Sequence, residues 1–181
     1  MDIPPPFLDH PEYLIHYYWM KRAIALATEA GNAGEVPVGA VIVDANQVDP
    51  SQTIILAGQA ITPGKAIAEG QNRRERDHDP TAHAEIVALR QAGQALQSWH
   101  LDHCTLYVTL EPCPMCAGAL IQARLGKLVY GADDPKAGAI RTVTNLPDGP
   151  CSNHRFPVLG GILGTPCAQQ LQAWFAQRRH S

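Results

Sequence analysis

Apolar positions along the chain change period several times, and each change marks an element. Over residues 11–30, Tyr13, Tyr17, Met20, Ile24 and Ala27 recur at helical spacing, with Pro11 suited to the first turn and Gly31 to the stop. Residues 38–43 form a compact β-branched run, the mark of a buried strand. Residues 53–57 and 67–69 are shorter strand candidates. Turn chemistry at Asp44-Ala45-Asn46, Asp49-Pro50-Ser51 and Thr62-Pro63-Gly64 predicts a hairpin with an enlarged, exposed connection within 44–70. A helix capped by Thr81 and running to about Leu96 comes next, with Ile86, Leu89 and Ala92/Gly93 facing inward. A strand at 105–110 follows, then a helix opened by Pro112 or Pro114 and ending near Arg124, then a strand at 127–130. Residues 135–157, rich in Gly, Pro, Asn and Asp, predict loop with room for a short helix. The last helix, 166–178, carries Leu171, Trp174 and Phe175 on its apolar side. Helices alternate with strands, so an α/β fold in three α/β/α layers is expected, as one domain over 1–181 with no internal repeat or linker.

Composition narrows the class. Of 181 residues, 45% are hydrophobic, ample for a core, yet no apolar run is long enough to span a membrane. The start, Met1 to Pro6, is acidic and Pro-rich and lacks the basic, then apolar, character of a secretion signal, so a cytoplasmic setting is expected. The net charge of −3 gives no support to broad nucleic-acid binding. Basic clusters at 73–76 and 178–180 are, on charge alone, solvated faces. Five cysteines are an odd set for a disulfide framework. Two read as thiolate ligands, and Cys104, Cys151 and Cys167 as free thiols, with Cys104 buried.

Those two ligands are Cys113 and Cys116, in a Pro-Cys-Pro-Met-Cys stretch that follows a strand. Upstream, His83-Ala84-Glu85 sits at a helix start. One imidazole and two thiols make three ligands for a divalent ion, and zinc fits such a set best. Structural zinc sites close all four positions, whereas catalytic sites leave one for water. Cys113 and Cys116 stand at i and i+3, so both reach one ion from one turn, and a helix N-terminus favours the thiolate form. Glu85, two residues from His83, is offset toward the vacant position, where it can act as general base and then general acid. A lone Cys-x-x-Cys is also compatible with redox chemistry or half of a zinc ribbon. A ribbon needs a second close pair, however, and a redox site needs neither His83 nor Glu85.

With these residues the sequence resembles the zinc-dependent nucleobase deaminases, and more narrowly the bacterial tRNA-specific adenosine deaminases. The matching stretches are Glu35-Val36-Pro37-Val38-Gly39-Ala40-Val41, Asn72-Arg73, His78-Asp79-Pro80-Thr81-Ala82-His83-Ala84-Glu85-Ile86, residues 106–119, Tyr130-Gly131-Ala132 and Asn153-His154-Arg155. The resemblance spans about 12–179. It implies a cytidine deaminase-like fold with a central five-stranded mixed sheet, and one zinc ion per subunit held by His83, Cys113 and Cys116. It implies hydrolysis at C6 of adenine, Glu85 moving the proton, with inosine formed at the wobble position of a tRNA anticodon stem-loop. Substrate contacts are implied for Asn72 and the backbone at Ala84, pocket walls for Val38 and Leu110, neighbours of the flanking nucleotides for Asp134, Asn153 and His154, and a groove-shaping role for Phe175. A homodimer with its interface beside the active site is also implied, and no membrane. The chain departs from the family in the 44–70 connection, longer than expected by about 15 residues, a length a loop absorbs at modest entropic cost. It departs again in the charged run Arg74-Glu75-Arg76.

Two other functions compete. A deaminase of a free base or nucleotide, such as guanine or cytosine, suits the acidic charge. A non-catalytic zinc-stabilised binding module needs no carboxylate at position 85.

Overall fold

The computed structural model describes residues 10–48 and 50–179; the start at 1–6, Asp49 and His180 of the terminal basic cluster lie outside the described residues. In chain order the elements are α1 (Pro11–Asn32), β1 (Gly39–Asp44), β2 (Ile54–Leu56), β3 (Gln59–Ile61), β4 (Lys65–Gln71), α2 (Arg74–Asp77), α3 (Ala84–Leu96), β5 (Cys104–Leu110), α4 (Pro114–Gln122), β6 (Lys127–Ala132), β7 (Val158–Gly160) and α5 (Gly164–Arg178). Five strands make one mixed sheet in the order β4-β1-β5-β6-β7. β1 pairs antiparallel with β4 and β5, and β6 pairs parallel with β5 and β7. The expected three layers and mixed sheet are present.

Strand alternation divides the core. Ala40, Ile42, Leu106, Val108 and Leu128 face α3 and α4. Val41, Val43, Tyr107 and Val129 face α1 and α5. Successive side chains of a strand point to opposite faces, and both faces of this sheet are covered, so every β1 position is buried. Gly70 sets how close α3 comes: a Cβ there would lie 2.0 Å from the Ala84 carbonyl oxygen. Only glycine permits that approach.

Several elements differ from expectation. The buried face of α1 carries Leu14, Trp19, Met20, Ala23, Leu26 and Ala27, while Tyr13, Tyr17 and Ile24 flank it half-buried. In α3 the inward residues are Ala84, Glu85, Ala88 and Ala92; Ile86, Leu89 and Gly93 are half-buried, because only the alanine face is narrow enough to reach β4. Thr81 does not cap α3. Its N–H and hydroxyl bond Asp79 Oδ1 in a local turn, and His83 takes the cap position. No helix occurs within 133–157, where only turns and bends are found; the short β7 at its end was not expected. Inside the 44–70 connection, β2 and β3 form a separate ribbon closed by Ala57 and Gly58, both at positive φ, as a two-residue hairpin turn requires. The ribbon leaves from the ends of β1 and β4 remote from Gly39 and Gln71. Trp19 tethers its return, the indole N–H donating to Pro63 O at 2.6 Å.

Candidate active site

Two helix starts meet beside the ends of β1, β4 and β5. His83 is the N-cap residue of α3 and Cys113 that of α4, both with extended backbone. Pro114 at the first turn of α4 has its φ already set for a helix, so the chain turns sharply there and Cys116 falls one turn beyond Cys113. His83 Nδ1 lies 3.7 Å from Cys113 Sγ and 3.5 Å from Cys116 Sγ. All three ligand atoms lie within 4.8 Å of one another. Bond lengths of about 2.3 Å to sulfur and 2.05 Å to nitrogen at tetrahedral angles set an S···N edge of about 3.6 Å. The donor set therefore has the size of a tetrahedral metal site.

The three groups perturb one another's protonation. The Cys113 thiol falls to about 4, chiefly because Cys116 donates to it and, after burial is offset, because His83 does. The same contact and burial push Cys116 up. His83 is raised, first by Cys113, with burial opposing, Glu85 assisting and Arg74 opposing. A dication would stabilise both thiolates and release these protons.

Glu85, in the first turn of α3, is 4% exposed. Burial pushes its carboxyl above the usual range against the pull of His83. That makes it a stronger base than a carboxylate in water. It opens with His83 and Cys113 onto a cavity of about 190 Å³. Val38, just before β1, and Leu110, the last residue of β5, line it from adjacent strand ends; Asn72, Ala84 and Asp134 are also in the lining. Asn72 is buried, its N–H bound to Val38 O at 3.1 Å. The Asp134 carboxylate accepts from the N–H groups of Lys136 and Ala137, so it shapes its own turn.

Asn153, His154 and Phe175 do not line this cavity. Asn153 O accepts from Arg124, and His154 Nε2 bonds Leu125 O at 2.8 Å, at the far end of α4. Phe175 is 47% exposed and packs edge-on against Trp174, whose indole N–H donates to Gly31 O.

Three residues to which the motifs assigned no role also shape the cavity. Arg74 lines its mouth. Glu35, 2% exposed, accepts from the N–H groups of Glu75 and Arg76 and pins α2. Glu111, 1% exposed, accepts from the N–H groups of Asp134, Ile140, Arg141 and Thr142 and from the Thr142 hydroxyl. Burial raises this carboxyl, yet those bonds outweigh burial and hold it below the usual range. An acid at each end of an apolar stretch was the available signal. Cys104 and Cys167 are buried and Cys151 exposed, all three unpaired.

A three-layer fold with a His-Cys-Cys cluster and a buried glutamate over a small cavity defines the cytidine deaminase-like class. A family model described as MafB19-like deaminase matches residues 15–164. The chain is 41% identical over 161 residues, 89% of each chain, to the tRNA-specific adenosine deaminase of Bacillus subtilis. It is 42% identical over 160 residues to that of Haemophilus influenzae, covering 88% of this chain and 83% of the relative. A solved structure from work on A-to-I editing by tRNA:A34 deaminases at the wobble position superposes with a TM-score of 0.72 at 38% identity, covering 84% of this chain and 98% of that one. The chain belongs to the tRNA-specific adenosine deaminase family, within the MafB19-like deaminases.

Proposed function

We propose that this chain is a zinc-dependent hydrolytic deaminase that converts adenosine to inosine at the wobble position of a tRNA anticodon. The observation that carries the proposal is the pair of S···N edges, 3.5 and 3.7 Å, beside a buried Glu85 in a cavity built for one flat base. A zinc ion held by His83, Cys113 and Cys116 supplies a water acidic enough to attack at neutral pH. Glu85 would carry one proton of the water to N1 of the adenine as the oxygen bonds to C6, and then the remaining hydroxyl proton from that oxygen to N6, so that the C6–N6 bond breaks, a C6 carbonyl forms and ammonia leaves. Val38 and Leu110 enclose the ring, and Asn72 and the Ala84 backbone hold its polar edge. At about 190 Å³ the cavity is smaller than the roughly 300 Å³ of common ligand pockets, so sugar and phosphate stay outside. A base in a hairpin loop has no partner to lose, so its extrusion costs little.

The test is incubation of the purified chain with an anticodon stem-loop carrying adenosine at the wobble position, and with free adenosine, guanine and cytosine. Inosine in the RNA with one zinc per chain is expected. Turnover of a free base without turnover of the RNA overturns the substrate assignment. Retained function in Glu85→Ala would mark a binding module instead.

A homodimer and a cytoplasmic setting complete the proposal. No helix among the described residues is long and apolar enough to cross a membrane. Ile86, Leu89, Trp99 and Ala119 line an open apolar groove of about 510 Å³ between α3 and α4, and Trp99 is 63% exposed. A second copy is the occupant. The groove adjoins the two helices whose starts build the site, and Arg124 beside it holds Asn153, which stands off its own chain's cavity. Pairing there carries Asn153 and His154 toward the partner's substrate. Leu89→Arg should convert dimer to monomer in light scattering; a monomeric parent removes the dimer from the proposal.

A further inference from the structure

The mouth of the cavity carries a charge that its surroundings leave unneutralised. Arg74 begins α2, is exposed, and lines the cavity beside Asn72 and His83. Its neighbours in sequence and space are committed: Arg73 to Asp77 at 2.8 Å, Arg90 to Asp79 at 3.4 Å. The Arg74 side chain makes no hydrogen bond or ion pair among the described residues.

Its backbone, in contrast, is held from both sides. Arg73 N–H donates to Ala82 O at 2.9 Å, and Asp79 N–H donates to Arg74 O at 3.2 Å. Beneath them the buried Glu35 carboxylate accepts from Glu75 N–H at 3.2 Å and Arg76 N–H at 2.8 Å. A guanidinium on a fixed stem, unpaired and at a cavity mouth, is arranged for an external anion. Little ordering of the chain is left for binding to bring about. Across the mouth, the Asp134 carboxylate is engaged by the Lys136 and Ala137 N–H groups.

The cavity admits a base and leaves the rest of the nucleotide at its rim. The nearest anion is then a phosphate adjoining the target nucleotide, and guanidinium matches phosphate oxygens two at a time. We infer that Arg74 binds a backbone phosphate next to the deaminated nucleotide and makes the site select a base within a strand over a free base or nucleoside. The inference rests on the deaminase reading of this cavity. It supplies local positive charge to a molecule of net charge −3.

The experiment uses the full zinc-loaded chain and Arg74→Gln and Arg74→Lys variants, assayed on the anticodon stem-loop between 50 and 200 mM salt. Neutralising one single-strand phosphate contributes about 0.7 to the slope of log affinity against log salt. Arg74→Gln should raise KM about tenfold at the lower salt, leave kcat within about twofold, and flatten the salt slope by about 0.7. Arg74→Lys should keep the slope with a smaller rise in KM. A stem-loop with methylphosphonate replacing one phosphate beside the wobble nucleotide should cost the parent the same factor and cost Arg74→Gln nothing more. An unchanged KM and slope in Arg74→Gln overturns the inference, as does a fall in kcat with the slope intact, which marks a structural role. If the parent itself leaves the stem-loop unmodified, the proposed function fails instead, and the two failures are distinct.

Discussion

Glu111→Gln tests how one rim of the cavity is held. In the parent one carboxylate oxygen accepts from Ile140, Arg141 and Thr142 N–H at 3.1, 2.8 and 2.9 Å. The other accepts from Asp134 N–H at 3.1 Å and from the Thr142 hydroxyl. The amide best keeps its oxygen on the three N–H groups. Its NH₂ then faces Asp134 N–H, donor against donor, while the Thr142 hydroxyl turns to accept. One buried N–H is left unsatisfied, at about 1–3 kcal/mol, and three charge-assisted bonds become neutral, at up to about 1 kcal/mol each. Easier burial of a neutral group offsets part of this, so the loop 134–142 should lose about 2–4 kcal/mol. Amide exchange at Asp134, Ile140, Arg141 and Thr142 should accelerate about 30- to 700-fold, with much smaller change in the β5 and β6 strands. Deaminase activity should fall with it, since Asp134 and Ala137 form one wall of the cavity. The sign with pH follows from the lowered carboxyl. Its stabilisation is full above the unfolded value near 4.3 and disappears as pH falls through the lower folded value, so parent and variant converge in acid. Parent-like exchange at those four amides, or uniform acceleration across the whole sheet, would refute the reasoning.

Glu85→Gln should lower kcat by about 10²–10⁴ while zinc content and melting temperature hold; activity within tenfold of the parent, in a rate assay, removes Glu85 as proton carrier. Cobalt should replace zinc at one ion per chain with thiolate charge-transfer absorption from two sulfurs, and chelation should lower the melting temperature, by about 4 kcal/mol of stability at a thousandfold excess over Kd. Absence of both effects places the metal elsewhere. His16, buried against Tyr107 with its Nδ1 2.9 Å from the hydroxyl, is pushed down to about 4 by burial and then by Lys127. Its unfolded value is higher, so stability is full above about pH 6.5 and is lost as pH falls from there to about 4, by at most about 3 kcal/mol. His16→Gln should flatten the denaturation midpoint across that window, and an unchanged pH profile refutes the assignment.

The residues that cluster as a donor set, His83, Cys113 and Cys116, were legible in sequence because both motifs are short. His83 and Glu85, or Cys113 and Cys116, keep their relative geometry wherever a helix start is formed, and the proline at 114 marks that start. The strands with regular apolar runs, β1, β5 and β6, were legible for the same reason: period two is a local property. Other features had no local signature. The β7 strand has three residues and takes its identity from pairing with β6. The inward face of α3 is its alanine stripe, although Ile86 and Leu89 are the larger apolar residues, because what decides burial is how near Gly70 lets the helix approach.

The sequence by itself thus determined the reactive groups and the layer order, since spacing along a helix and alternation along a strand are set within a few residues. Tertiary structure alone decided which walls close the site. Glu35 and Glu111 each hold a rim by taking backbone N–H groups 23 to 41 residues away, and Asn153 and His154 stand apart from their own cavity. Such contacts depend on how separate elements pack against one sheet, and no periodicity in a single element records what comes to lie against it.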